Sequence, residues 1–121
     1  MEARYVFAVQ FRLEPEDGVV VEPDTFETRL FRPADSPGTP GWRFFRDNLW
    51  RGELADAAHF RDLTEEVLSV PVDWVEFRAL ETDEAYLEAL RSAIREDLPS
   101  FKAESVSAVL NKYLGSRLEV K

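Results

Sequence analysis

The sequence predicts an α+β fold in which a mostly antiparallel sheet of four to five strands carries about three helices on one face. Two observations support this class. Stretches with an apolar residue at every second position occur along the chain together with stretches whose apolar residues follow helical spacing. In chain order these stretches give β-β-(β)-α-β-α-α-β, and a length of 121 residues suits one compact domain spanning residues 1–121.

The first strand is predicted at residues 5–13, where side chains alternate between two faces. One face carries Phe7, Val9, Phe11 and Leu13. Because Val6 and Ala8 make the other face apolar as well, this strand is expected to be central in the sheet. The cluster "EPEDG" at 14–18 is typical of a turn.

Residues 25–32 alternate in the same way and are predicted to form a second strand, followed by a Pro- and Gly-rich loop at 33–41. Residues 42–51 fit two structures. As a helix they would place Trp42, Phe45 and Leu49 on one face, whereas their aromatic density is typical of a strand. We favour a strand that pairs with residues 25–32.

The second half of the chain begins with a helix and a strand. Asp56 is a suitable N-cap for a helix at 57–69, with Phe60, Leu63 and Val67 spaced to face inward. Residues 72–80 are predicted to form a strand.

Two more helices and a short strand complete the predicted order. Thr82 or Asp83 caps a helix that runs to about residue 97, with Tyr86, Leu87, Leu90 and Ile94 inward, and Pro99 and Ser100 break it. The last helix is expected at 102–114, ending at Gly115, and a short strand at 116–120.

The chain is acidic, with 24 carboxylates against 15 Lys and Arg, a net charge of −9 and only three lysines. This composition fits an ordinary cytosolic protein, or adaptation to molar salt, which screens charge repulsion within about 3 Å. We favour salt adaptation. Cysteine is missing, and neither a signal peptide nor a membrane-spanning stretch is visible, so a cytoplasmic protein without membrane contact is expected.

Positive charge is concentrated in one segment. Residues 25–52 carry five arginines against three carboxylates, a balance of +2, whereas the flanking segments are negative. The stretch "GWRFFRDNLWRGEL" at 41–54 interleaves arginines with aromatic residues, a pattern that suits phosphate binding and base stacking. The candidate ligand-binding residues are Arg43, Arg46, Asn48, Trp50 and Arg51.

Three functions remain open for this stretch. The first is a non-enzymatic binding module for an anionic partner, either RNA or an acidic protein; the arginines then bind the partner instead of only pairing with the protein's own carboxylates. The second is a small enzyme or metabolite-binding domain with a pocket beside 42–54 that uses Asp47, Asn48 and His59. The third is a homo-oligomer that buries Trp42 or Trp50.

Motifs for catalysis and cofactors are missing from the sequence. His59 is the single histidine, and no zinc, P-loop, dinucleotide or nucleophile-elbow motif is present. We therefore expect no catalytic residue, no metal and no cofactor, and we favour a binding protein over an enzyme.

Four stretches resemble one known family. They are "DTFETRLFR" (24–32), "GWRFFRDNLWRGE" (41–53), "TDEAYLEAL" (82–90) and "VLNKYLGSRLEV" (109–120). Together they resemble the LWR-salt proteins of haloarchaea, which take their name from a Leu-Trp-Arg motif, here Leu49, Trp50 and Arg51. The resemblance implies an archaeal, high-salt, cytoplasmic setting. It brings no activity, cofactor or catalytic residue with it.

Overall fold

The structure, a computed structural model, describes residues 1–15 and 18–121. Its strands are β1 (Ala3–Arg12), β2 (Thr25–Pro33), β3 (Leu49–Trp50), β4 (Glu53–Leu54), β5 (Val72–Thr82) and β6 (Leu118–Val120). Its helices are α1 (Phe44–Asn48), α2 (Ala57–Leu68), α3 (Glu84–Glu96), α4 (Leu98–Phe101) and α5 (Val106–Leu114). The predicted α+β class is confirmed.

Four strands form the main sheet in the order β2-β1-β5-β6, and β3 and β4 form a separate two-stranded hairpin. β1 is central and pairs antiparallel with both β2 and β5, whereas β5 and β6 are parallel. The β1–β2 ladder runs without interruption, while the β1–β5 ladder shifts register twice. The sheet is therefore mostly antiparallel, as the sequence predicts.

The core lies between the helices and the sheet face that carries Tyr5, Phe7 and Val9. Helix α3 contributes Leu90 and Ile94, both fully buried. The predicted cap of α3 is present, since the Asp83 carboxylate accepts a hydrogen bond of 2.8 Å from the backbone N–H of Tyr86. Such a cap satisfies a helix donor that has no partner within the helix.

The prediction that residues 42–51 form a strand paired with 25–32 is wrong. β2 pairs with β1 in the sheet, and the aromatic segment instead forms the single turn α1 followed by β3. Phe45 is fully buried and stacks on Phe101, and Trp42 packs edge-on against the same ring. Trp42 lies in the turn at 41–43 that leads into α1. Residues three apart share a face in such helical geometry but lie on opposite faces of a strand, which explains why both rings are buried together.

Two details of the helices also differ from the prediction. In α2, Phe60 packs against the core as expected, but Thr64 is buried whereas Leu63 and Val67 are exposed. The buried face of α2 is therefore rotated by one residue relative to the face that the sequence predicts. Helix α5 is capped by Ser105 and begins at residue 106, not at 102.

Of the predicted 14–18 turn, residues 16 and 17 lie outside the described part of the chain. Within the part that is described, no helix has both the length and the apolar character needed to cross a bilayer.

Candidate functional site

The Leu-Trp-Arg stretch forms one side of a tight hairpin. Leu49 is buried, Trp50 pairs with Glu53, and Arg51 and Gly52 make the two-residue turn between them. Both turn residues have positive φ, 52° at Arg51 and 83° at Gly52. A type I′ turn requires this combination, because its twist matches that of the strands it joins. Glycine adopts positive φ freely, whereas positive φ at arginine costs conformational free energy because arginine has a Cβ.

This hairpin turn caps the carboxyl end of α5. The backbone N–H of Arg51 donates to the carbonyl of Lys112 at 2.8 Å, and that of Gly52 donates to the carbonyl of Tyr113 at 2.9 Å. The last carbonyls of a helix lack partners within it, so these two bonds stabilise the end of α5.

The turn and the helix end lie in close contact. A Cβ on Gly52 would lie 3.0 Å from the carbonyl oxygen of Leu114, and a Cβ on Gly115 would lie 3.0 Å from that of Arg51. Both positions therefore favour glycine, and the turn is fixed in one place relative to α5.

An open groove of about 660 Å³ lies where this turn meets α5. Its lining side chains include Trp50, Arg51, Lys102, Asn111 and Lys112. Trp50 is 46% exposed, and its indole packs edge-on against Tyr113, with ring centroids 6.1 Å apart. An exposed indole beside three cationic side chains can stack on a planar group and neutralise an anion at the same time.

The groove is electrostatically distinct from the rest of this acidic chain. No Asp or Glu is among its lining residues, and within residues 1–15 and 18–121 neither Arg51 nor Lys102 forms an ion pair. Lys112 donates a 3.0 Å hydrogen bond to the carbonyl of Phe101, which fixes its ammonium 5.7 Å from the centre of the Trp50 ring. None of the three cations therefore has an anionic partner in the described structure, and only Lys112 is held by a hydrogen bond to a carbonyl.

Two of the cationic residues that line the groove also have a strained backbone conformation. Three non-glycine residues of the described chain have positive φ, and two of them, Arg51 and Lys102, line the groove. Each left-handed residue with a Cβ costs about 1–2 kcal/mol. Such conformations persist where the surroundings impose them, and they are concentrated at functional sites.

The five residues predicted as ligand-binding do not lie in one place. Trp50 and Arg51 line the groove together. Arg43 donates from Nε to Asp97 at 2.8 Å and lies over the ring of Trp42. The Ser100 hydroxyl, followed by the Arg43 guanidinium, holds the pKa of Asp97 below its usual value. Arg43 is therefore engaged within the protein.

Arg46 and Asn48 are also engaged within the protein. Arg46 donates from Nε to Asp47 at 3.0 Å, and the Asn48 side-chain amide donates to the carbonyl of Phe44 at 3.0 Å. Asn48 thus stabilises the single turn α1, and neither residue lines the groove beside Trp50.

Three groove residues, Lys102, Asn111 and Lys112, were missed in the sequence. They lie 50 or more residues beyond Trp50, so no local pattern joins them to it. Lysine near a helix carboxyl end is common for dipole reasons, which makes Lys112 unremarkable by itself. The sequence feature that could have identified them is the rarity of lysine, because two of the chain's three lysines fall within residues 102–112.

The polar residues considered for an enzyme are dispersed. His59 is exposed in the first turn of α2, where its backbone N–H donates to Asp56. Asp47 pairs with Arg46, and none of His59, Asp47 and Asn48 lines the groove beside Trp50. Over the described residues, no group of three or more His, Cys, Asp or Glu is placed to hold a metal ion.

Comparison with known proteins identifies a family. The model of the family described as LWR-salt protein matches residues 1–121, the whole chain, and the chain therefore belongs to that family. No curated protein and no solved structure matches it.

Proposed function

We propose that this member of the LWR-salt family is a non-enzymatic binding module that takes a phosphate-bearing ligand in the groove beside Trp50. One observation carries the proposal. In a chain of net charge −9, three cationic side chains and an exposed indole share a groove that no carboxylate lines.

The groove chemistry favours RNA over an acidic protein as the anionic partner. Arg51 offers forked donors to phosphate oxygens, and the two lysines add compact charges. An acidic peptide would use these cations as well, but it has no aromatic plane for the indole of Trp50. A nucleotide supplies both groups, and a groove of about 660 Å³ lies in the size range of small-ligand sites.

The proposal extends to the setting of the protein. The family and the net charge of −9 support a salt-adapted cytoplasmic protein. Phosphate attraction weakens steeply as salt rises, because the counterions released on binding gain less entropy in a more concentrated salt solution. In molar KCl, stacking on Trp50 must therefore supply a large part of the affinity, about 1–3 kcal/mol per base.

Binding can be separated from folding at two groove positions. Arg51 and Lys102 both have left-handed backbone, which asparagine tolerates better than most residues. Arg51→Asn creates the Asn-Gly pair that type I′ turns prefer, so this variant removes the charge and preserves the hairpin. Lys102→Asn removes the second unpaired cation in the same way.

The test is fluorescence anisotropy with a short fluorescein-labelled oligouridylate at several KCl concentrations. Wild type is expected to bind, and Arg51→Asn, Lys102→Asn and Trp50→Ala are each expected to weaken binding by about tenfold. The matched control is Arg91→Ala, which removes the same charge from the exposed surface of α3. Circular dichroism verifies that every variant folds.

Two results would overturn the proposal. Equal losses in Arg91→Ala and Arg51→Asn would indicate a response to net charge alone. Displacement of the oligonucleotide by polyglutamate, with no dependence on Trp50, would assign the groove to acidic proteins instead of RNA.

A further inference from the structure

The two edge strands of the main sheet differ in length. β6 at one edge has three residues, whereas β2 at the other has nine and pairs with β1 along its whole length without a register shift. Proteins usually block such edges with lysine, proline or a bulge. β2 ends at Pro33, but residues 24–32 contain no lysine and no proline, so the edge from Thr25 to Arg32 is free of these blocking residues.

The sequence of this edge is largely complementary about Thr28. Read outward from Thr28 in both directions, Glu27 stands at the position symmetric to Arg29, and Phe26 at the position symmetric to Leu30. One step further Thr25 and Phe31 are unlike, and beyond these Asp24 is symmetric to Arg32. Each carboxylate therefore has an arginine at the symmetric position, and each residue of the apolar pair has the other.

We propose that two copies of this chain pair antiparallel through β2, with the two-fold axis at Thr28, and so join their sheets into one. In that register each directly opposed pair lies on one face of the sheet. Glu27 then meets Arg29 of the second copy twice, once on each side of the axis. Moving the axis by one residue would set Arg29 against Arg29, or Glu27 against Glu27, so charge selects the register.

The described structure leaves these side chains available. Ion pairs on the open face of the sheet join Arg4 to Glu81 and join Arg78 to Glu76, and Arg29 has no ion pair within the described residues. Glu27 reaches Arg78 at 3.8 Å, which is a loose contact.

The apolar residues at the edge indicate the same partner. Phe31 is 50% exposed, although the guanidinium of Arg4 lies 4.0 Å from its ring centre. Leu30 is only partly buried at the margin of the core, and Phe26, also partly buried, stacks on Phe11. A second copy of β2 would cover all three with Thr25, Leu30 and Phe26 of its own strand.

The test is the molar mass of the full chain in solution, by light scattering coupled to size exclusion, at the lowest KCl that retains the fold. Wild type is expected to have the mass of two chains. Arg29→Glu and Glu27→Arg each place like charges opposite each other twice in the dimer. Each is expected to raise the dimer dissociation constant by about tenfold or more.

The double variant Glu27→Arg, Arg29→Glu restores opposite charges and is expected to recover the dimer. The matched control is Arg91→Glu on α3, which makes the same charge reversal away from β2 and is expected to leave the mass unchanged. A monomeric wild type, a dimer indifferent to the single reversals, or a double variant that stays dissociated would each overturn the proposal. None of these results depends on the groove beside Trp50.

Discussion

Replacing Gly52 with alanine tests whether the Leu-Trp-Arg hairpin is fixed to the end of α5. Two costs are expected. Gly52 has φ of 83°, and alanine in left-handed backbone costs about 1–2 kcal/mol. Its Cβ would also lie 3.0 Å from the carbonyl oxygen of Leu114, so the turn must move and weaken the bond from the Gly52 N–H to Tyr113. A lost hydrogen bond adds about 1 kcal/mol, for a total of about 2–3 kcal/mol.

Gly38 provides a matched control for this substitution. Its φ is 86°, nearly that of Gly52, but nothing lies within 4 Å of a Cβ built there. Gly38→Ala therefore carries the backbone cost of about 1–2 kcal/mol without the contact. The assay is urea unfolding at fixed KCl, followed by circular dichroism, with wild type and both variants compared as free energies of unfolding. If Gly52→Ala is no more destabilising than Gly38→Ala, the turn does not cap α5 as described.

Three further predictions concern pH and the turn. The backbone N–H groups of Tyr86 and Glu2 hold the pKa of Asp83 below its usual value, so Asp83 stabilises the fold above about pH 4 and this contribution is lost as pH falls. Asp83→Asn should flatten that part of the acid dependence of the unfolding free energy, and an unchanged profile would contradict the cap. Burial, followed by the nearby Asp35, raises the pKa of Tyr86 to about 12 from 10.0, so stability should fall as pH rises above about 10 and Tyr86→Phe should reduce this fall. Arg51→Asn should unfold at the same or higher urea concentration than wild type, because it improves the turn sequence; clear destabilisation would show that the arginine side chain supports the hairpin.

Sequence patterns predict the helices and strands that turn one face toward the core and the other toward solvent. β1 is an example, since its residues alternate and Tyr5, Phe7 and Val9 all join the core. Helix α3 is another, because the local sequence supplies both the Asp83 cap and the inward spacing. In both cases the signal lies within about a dozen consecutive residues.

The aromatic segment could not be assigned in this way, because a distant residue decides its structure. Trp42 and Phe45 both pack on the ring of Phe101, more than 50 positions further along the chain. A local pattern rich in aromatic residues fits helix and strand alike until that contact is known. Helix α2 presents the same difficulty, since its apolar residues form two neighbouring stripes and packing selects one of them.

The sequence identifies only some of the groove residues, for a related reason. Trp50 and Arg51 stood out because they lie in a positive segment of an acidic chain. Lys102 and Lys112 reach them only because the turn at Gly52 packs against the end of α5. Arg43, by contrast, has a carboxylate partner, Asp97, which lies 54 positions further along the chain and which the sequence does not reveal.

The most direct test of ligand binding in the groove is a ¹H–¹⁵N nuclear magnetic resonance titration of the full chain with oligouridylate in KCl. If the groove binds the oligonucleotide, the first signals to shift are the Trp50 indole N–H, the backbone N–H groups of Arg51 and Lys102, and the Asn111 side-chain amide. Shifts centred on Arg43 and Asp97, or no shift at ligand concentrations well above that of the protein, would contradict binding in the groove.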